Sequence, residues 1–268
     1  GCGMSILFTF PGQGAQKAGM LHALPKHAET ERTLREASEV LGSDVLELDS
    51  AAALASTVAV QLCLLVAGVA MARVLAAHGA VPDMVAGLSI GAYPAAVTAG
   101  VLGYPDAVAL VARRARLMEQ GYPLGYGMAA ITGLDQDQLD PLIARVHAAE
   151  SPVYLANLNA PRQLVVAGEE GALLRLGALA LEAGATRAER LAVSVPSHCE
   201  LLSAQAEDMH SAIAGIALRP PQATYISSTT ARALFDPERI RDDLAGNMAR
   251  QVHWYDTARH AWERGARL

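Results

Sequence analysis

The chain is short of aromatic residues, of lysine and of cysteine, and each shortage excludes something. Aromatic side chains make up 4% of the 268 residues and charged ones 18%, whereas 52% are hydrophobic. Disordered chains combine low hydrophobicity with high net charge; here the formal charge is only −6. Lysine occurs twice, as Lys17 and Lys26, and the remaining basic residues are scattered arginines outnumbered by 27 acidic ones. A nucleic-acid partner normally requires a basic face, so none is expected. The three cysteines (Cys2, Cys63, Cys199) are widely spaced and form no Cys-x-x-Cys pair. That excludes a disulfide framework and a structural zinc site, and free thiols suit the reducing cytoplasm. No basic segment precedes an apolar run at the N-terminus, so no signal peptide is read, and Gly1-Cys2-Gly3 precedes what looks like a natural start at Met4.

What is present is alanine and leucine, arranged for close helix packing. The length suits one large domain or a large and a small one, enough to bury roughly three quarters of the unfolded surface without a metal or disulfide staple. The stretch 51–72 carries no charge and could span a bilayer by length. Its alanine content, its Ser56, Thr57 and Gln61, and the lack of basic flanks favour a buried helix, so no membrane is expected.

Strand-like and helix-like segments alternate. Residues 6–10 form a short apolar run stopped by Pro11-Gly12, helices are expected at about 29–41 and 56–78, and 84–86 reads as a second buried strand. A helix at about 90–99 follows, and Pro105 opens another to about Gln120, at its first position. Such alternation implies an α/β fold with a mostly parallel sheet covered on both faces. Between 128 and 193 the style changes. Strands at 128–132, 153–156, 164–167 and 187–193, with helices at 137–149 and 172–183, give the order β-α-β-β-α-β, the ferredoxin-like pattern. This predicts a small domain, 128–193, inserted into a large one made of 1–127 and 194–268. A helix at 199–214, a strand at 224–227 and two final helices complete the reading.

Gly87-Leu88-Ser89-Ile90-Gly91 matches G-x-S-x-G between a predicted strand and a predicted helix. In that setting the glycines allow a sharp elbow that exposes the serine oxygen, and the helix start aims N–H groups at the site. A plain Gly-rich turn with a capping serine is the competing reading. Phe10-Pro11-Gly12-Gln13-Gly14 follows the first strand, and its glycines would let the Gln13 backbone approach a ligand; an ordinary connecting loop has the same composition. It lacks the Gly-Lys-Ser/Thr end of a phosphate-binding loop. His198, in Pro196-Ser197-His198-Cys199, is the candidate base for Ser89. Among Arg113, Arg114 and Arg116, spacing alone does not select between a solvated basic face and one guanidinium turned inward onto a carboxylate.

Taken together and in order, Phe-Pro-Gly-Gln-Gly, the G-x-S-x-G elbow, the Arg…Met-x-Gln helix, Asn157-x-Asn159-x-Pro161 and Val-Pro-Ser-His-Cys resemble the malonyl-CoA:acyl-carrier-protein transacylases from Ile6 to about Trp254. The wording Gly-Leu-Ser-Ile-Gly-Ala-Tyr is similar to one branch, the transacylase (epsilon) subunit of malonate decarboxylase. The resemblance implies an α/β-hydrolase-like large domain and a ping-pong malonyl transfer. Ser89 would be the nucleophile, His198 the base, and the N–H groups of Gln13 and Ile90 the oxyanion hole. Arg114 would hold the malonyl carboxylate, with Gln61, Asn159 and Asn247 in the substrate pocket. It implies no metal and no permanently bound cofactor. A coenzyme A thioester would be the substrate and the acyl carrier protein subunit of malonate decarboxylase the acceptor, beside other subunits of that enzyme; malonyl-CoA:acyl-carrier-protein transfer in fatty-acid or polyketide synthesis is the close alternative. Three positions depart from the family wording: Leu88 where it has His, Ala92 where it has Glu, and Asn247 where it has Gln. Relatives also run on past the position of Leu268 through another strand and a Gly-Pro-Gly-like loop. A serine hydrolase is the second class, which would need an acid between Ser and His; Asp135, Asp137 and Asp140 are the candidates. A non-catalytic scaffold subunit is the third.

Overall fold

The computed structural model describes residues 3–267; Cys2 therefore lies outside the described residues. The chain begins with strand β1 (Leu7–Phe10), helices α1 (Ala28–Leu41) and α2 (Thr57–Ala77), strand β2 (Met84–Gly87), and helices α3 (Ala92–Thr98) and α4 (Tyr104–Gly121). There follow β3 (Tyr126–Thr132), α5 (Gln136–Val146), β4 (Val153–Ala160), β5 (Gln163–Glu169), α6 (Glu170–Glu182) and β6 (Arg187–Arg190). The chain then adds α7 (Ser203–Ile213), β7 (Thr224–Ser227), β8 (Arg232–Leu234), α8 (Pro237–Gly246) and α9 (Trp254–Glu263). Two four-stranded sheets result, ordered β1-β2-β7-β8 and β4-β5-β3-β6.

In the first sheet β1, β2 and β7 run parallel and β8 antiparallel. Every residue of β2 is buried, as expected for a strand covered on both faces. The second sheet is antiparallel throughout, and its order is that of a ferredoxin-like β-α-β-β-α-β unit. It has an apolar cluster of its own around Ile131, Leu139, Leu164 and Leu176. The fold is thus α/β, with a mostly parallel sheet and an inserted ferredoxin-like unit.

Helix α2 explains the uncharged stretch. It is apolar on every side, and such a helix belongs in a core: Leu62, Leu65, Val66, Val69 and Ala70 are all buried. It is the one helix among the described residues long and apolar enough to cross a membrane, and 67% of its most apolar window is buried against the rest of the chain. Its start is capped by Ser56, which accepts from the Val58 N–H, while Glu119 of α4 accepts from the Ser56 hydroxyl and the Thr57 N–H.

Differences from the sequence reading are local. The predicted helix at 90–99 starts as a single 3-10 turn at Ser89–Gly91, and Cys199–Ala214 likewise starts as one at Glu200–Leu202. The α4 helix begins at Tyr104, so Pro105 takes its second position. The short edge strand β8 was not expected; three residues, Arg232 to Leu234, offer too little alternation to stand out.

Candidate active site

Strand β2 ends at Gly87, and Ser89 sits two residues on with φ of 60°. Left-handed backbone is costly for an L-residue with a side chain, of order 1–3 kcal/mol. Among the described residues only Ser89, His198 and Ala231 are non-glycine residues in that region. The surrounding glycines are required by contact. A Cβ on Gly87 would overlap the Gly91 backbone, and one on Gly91 would overlap the Phe10 carbonyl. One on Gly12 would lie 2.9 Å from the Leu88 oxygen. The Leu88 N–H donates to the Phe10 carbonyl at 3.0 Å. The loop after β1 and the elbow after β2 are therefore packed backbone against backbone, which brings Gln13 to the rim of the site. Ser89, Gln13, Asn157, Asn159 and His198 line one cleft of about 700 Å³, with Leu88 and Trp254 in its walls. Ile90 follows Ser89 in the 3-10 turn with its side chain buried.

His198 is 3% exposed and also has a positive φ, 66°. Its N–H donates to the Met248 carbonyl at 2.7 Å. Ring Nδ1 lies 2.9 Å from the Asn247 carbonyl oxygen and 3.1 Å from that of Arg250. Two acceptors at Nδ1 place the proton there in the neutral ring and leave Nε2 with its lone pair. Burial, reinforced by the nearby Arg114 charge, pushes the pKa down to about 4. The imidazole is thus neutral at ordinary pH, as a general base must be.

Among the described residues no carboxylate is hydrogen-bonded to His198. Asp135 instead caps α5, accepting from the Gln138 N–H at 2.9 Å, and Asp137 and Asp140 are exposed on the same helix. The Ser–acid–His order of a hydrolase therefore finds no acid among these candidates. Cys199, beside the histidine, is buried with its thiol pushed up to about 12 by desolvation, which leaves it protonated and poorly nucleophilic. Among the described residues no three metal-ligating side chains converge.

The three arginines separate clearly. Arg113 and Arg116 are exposed, the former paired with Asp208. Arg114 is fully buried. Its Nη1 donates to Gln61 Oε1 at 2.9 Å, and its Nη2 donates to Asn247 Oδ1 at 2.8 Å and to Ser89 Oγ at 3.2 Å. Gln61 is itself steadied by a donor contact to Met118 Sδ at 3.4 Å, and Asn247 Nδ2 donates to the Ser89 carbonyl at 3.1 Å. The Tyr93 ring lies 5.8 Å from the guanidinium carbon. Every polar partner of this cation is neutral, and Nε has none. Buried charges are normally paired, and this desolvated guanidinium beside the serine oxygen has no anionic partner among the described residues. Arg114, Gln61 and Asn247 form the floor beneath Ser89 and do not line the open cleft.

Some participants were not legible as such in the sequence. The carbonyls of Asn247, Met248 and Arg250 that hold His198 carry no side-chain signature. Asn157 and Trp254 line the cleft only because β4 and the start of α9 are brought together, through an isolated bridge between Asn157 and Val252.

A strained serine at a strand-to-helix elbow and a buried neutral imidazole in the same cleft are the groups that serine-based acyl transfer uses. Comparison with known proteins agrees. The acyl transferase domain family matches residues 7–267, and the chain belongs to that family; it is an acyltransferase. The malonyl CoA-acyl carrier protein transacylase of Escherichia coli K12 is 40% identical over 256 residues, covering 92% of this chain and 82% of the relative. The solved malonyl CoA-acyl carrier protein transacylase of Coxiella burnetii superposes with a TM-score of 0.94 at 34% identity, covering 99% and 85%. A malonyl-transacylase solved in complex with a type II PKS acyl-carrier protein gives a TM-score of 0.92 at 37% identity, covering 98% and 86%.

Proposed function

We propose that this acyltransferase moves a malonyl group from coenzyme A to the thiol of an acyl carrier protein by way of a malonyl-Ser89 ester. One observation carries the malonyl assignment: the buried Arg114 guanidinium, with only neutral partners, 3.2 Å from the Ser89 oxygen. A malonyl group bound at Ser89 would bring its free carboxylate to the buried Arg114 cation, through charge-assisted hydrogen bonds. Gln61 and Asn247 hold the guanidinium in place for this. Asn159, whose carboxamide oxygen is buried without a partner at the cleft wall, is assigned to the substrate.

Ser89 and the neutral His198, which line one cleft, support a transfer in two half-reactions. His198 Nε2 takes the Ser89 proton as Oγ attacks the thioester carbonyl. The resulting oxyanion is received by the N–H groups of Gln13 and Ile90. Collapse expels the coenzyme A thiol, which recovers the proton from His198. The carrier thiol then enters, loses its proton to His198 and takes the malonyl group, while the departing Ser89 Oγ recovers that proton, so the kinetics are ping-pong. The Asn247 and Arg250 carbonyls steady the imidazolium formed in each half-reaction, the task an acid performs in other triads. With Cys63 and Cys199 as free buried thiols, a cytoplasmic setting suits the reaction.

A second reading concerns the carrier. Leu88 makes an apolar wall of the cleft and packs on Gly12, and Ala92 is buried at the start of α3. Both stand where the resembling transacylases carry polar residues, and the elbow wording is that of the malonate decarboxylase branch. The carrier subunit of a malonate decarboxylase is therefore the alternative acceptor. Labelled malonyl-CoA tests the whole scheme. Stable label on the protein, lost in Ser89→Ala and passed on to a carrier thiol, is expected. Immediate release of free malonate would mean a hydrolase, and no labelling a scaffold. Offering the loaded protein a fatty-acid-type carrier and a decarboxylase carrier side by side decides the acceptor.

A further inference from the structure

Two buried acids, Asp49 and Asp243, are not used by these steps; Asp49 has His22 beside it, whereas Asp243 does not have a basic partner among the described residues. Asp243, in the last turn of α8, is 3% exposed, and its carboxylate is held by hydroxyls alone. Oδ2 accepts from Tyr225 Oη at 2.7 Å; Oδ1 accepts from Ser227 Oγ at 2.7 Å and from Thr229 Oγ1 at 2.6 Å. All three donors belong to β7 or the turn just after it. The turn is itself folded around Ser227, whose Oγ accepts from the N–H groups of Thr229 and Thr230, each at 3.2 Å. A buried carboxylate without a cation is expensive, and an apolar residue would join a helix to a strand at lower cost. Its position gives the reason. The Asn247 N–H donates to the Asp243 carbonyl, so the aspartate stands one turn ahead of the segment on which the site hangs. Residues 247–250 supply the carboxamide that grips Arg114 and the Ser89 carbonyl, and the three carbonyls that hold His198. No other side chain in that last turn of α8 is hydrogen-bonded to β7.

We propose that Asp243 is a positioning residue. Its carboxylate, gathered by the Tyr225, Ser227 and Thr229 hydroxyls, clamps α8 to the end of β7 and so fixes the 247–250 turn against His198 and Arg114. The clamp rests on the reading of Ser89 and His198 as nucleophile and base. Hydrogen bonds to a charged acceptor are short and directional, which suits a device that must hold a backbone turn to a fraction of an ångström.

The test is the rate of Ser89 labelling by a fluorophosphonate as a function of pH, a reaction that needs the activated serine but no malonyl group. Asp243→Asn keeps the size and one acceptor oxygen. Thr229→Val removes a single donor at nearly constant volume and serves if the first variant folds poorly. We expect labelling to fall roughly ten-fold in Asp243→Asn and about three-fold in Thr229→Val, the scale on which small misplacements act. The midpoint of the labelling profile should also move up from about 4 toward that of an ordinary histidine, because a loosened turn lets water reach the ring. A merely structural aspartate would lower the amount of active protein and leave the midpoint where it is, and that result overturns the proposal, as does labelling within two-fold of wild type in both variants. Failure of the wild-type protein to label would sink the reading of Ser89 itself and the clamp with it.

Discussion

Ser89 and His198 face one cleft and share a backbone oddity, a positive φ without glycine, yet they are held in opposite ways. Ser89 is fixed by what lies next to it in sequence: strand β2 before, a helix after, and glycines that let the chain turn and the Phe10 loop press in. His198 is fixed by what lies some fifty residues away, a run of carbonyls on the turn after α8. The turn that presents the nucleophile is local, with Asn247 as a distant grip on its carbonyl, and the base is borrowed outright. A site so divided tolerates changes around the elbow only where no Cβ must fit, and tolerates changes around the histidine only where the distant turn keeps its shape.

The largest expected effect falls on the local half. Ser89→Ala removes the attacking oxygen and should lower malonyl transfer by about 10⁴-fold or more, read as loss of covalent label from malonyl-CoA by mass spectrometry. His198→Ala should cost nearly as much, because nucleophile and base act as a unit; the double variant should be little worse than either single one. Strict additivity of the two losses would mean that they do not work together.

Next comes the floor. Arg114→Ala should slow malonyl loading by roughly 10- to 150-fold relative to acetyl loading, the worth of one charge-assisted pair at ~1.5–3 kcal/mol. Equal loss for both acyl groups would remove the carboxylate assignment. The pH profile sharpens the borrowed half. With His198 lowered to about 4, acylation should stay near its plateau at pH 5.5, where an ordinary histidine would be mostly protonated, and fall only as the pH drops through that value. The same shift has a stability consequence. The unfolded chain binds the proton near the usual pKa of about 6.5. The buried neutral ring therefore costs nothing above that value and destabilises the fold progressively below it, until its own pKa is reached. Finer still, Leu65→Ala in the core of α2 should cost ~2–5 kcal/mol by denaturant titration while leaving the malonyl-to-acetyl ratio untouched. A changed ratio would show that the core helix bears on Gln61, one turn away on the same helix, more directly than the hydrogen bonds indicate.

What the sequence determined by itself was whatever rests on local periodicity and local sterics. The strand–elbow–helix around Ser89, the apolar helix α2 and the β-α-β-β-α-β order of the second sheet were all legible, because each depends on residues within a few turns of one another. The identity of the inward arginine was not legible from spacing, and only the family resemblance pointed to Arg114. Arg113, Arg114 and Arg116 are alike in chemistry, and the packing of α4 against α2 buries Arg114 beside Gln61 while its neighbours meet solvent or Asp208. Nor could the sequence show what holds His198, since a backbone carbonyl looks the same at every residue. That choice was made by the tertiary structure, which sets the 247–250 turn against the histidine and burial against its charge.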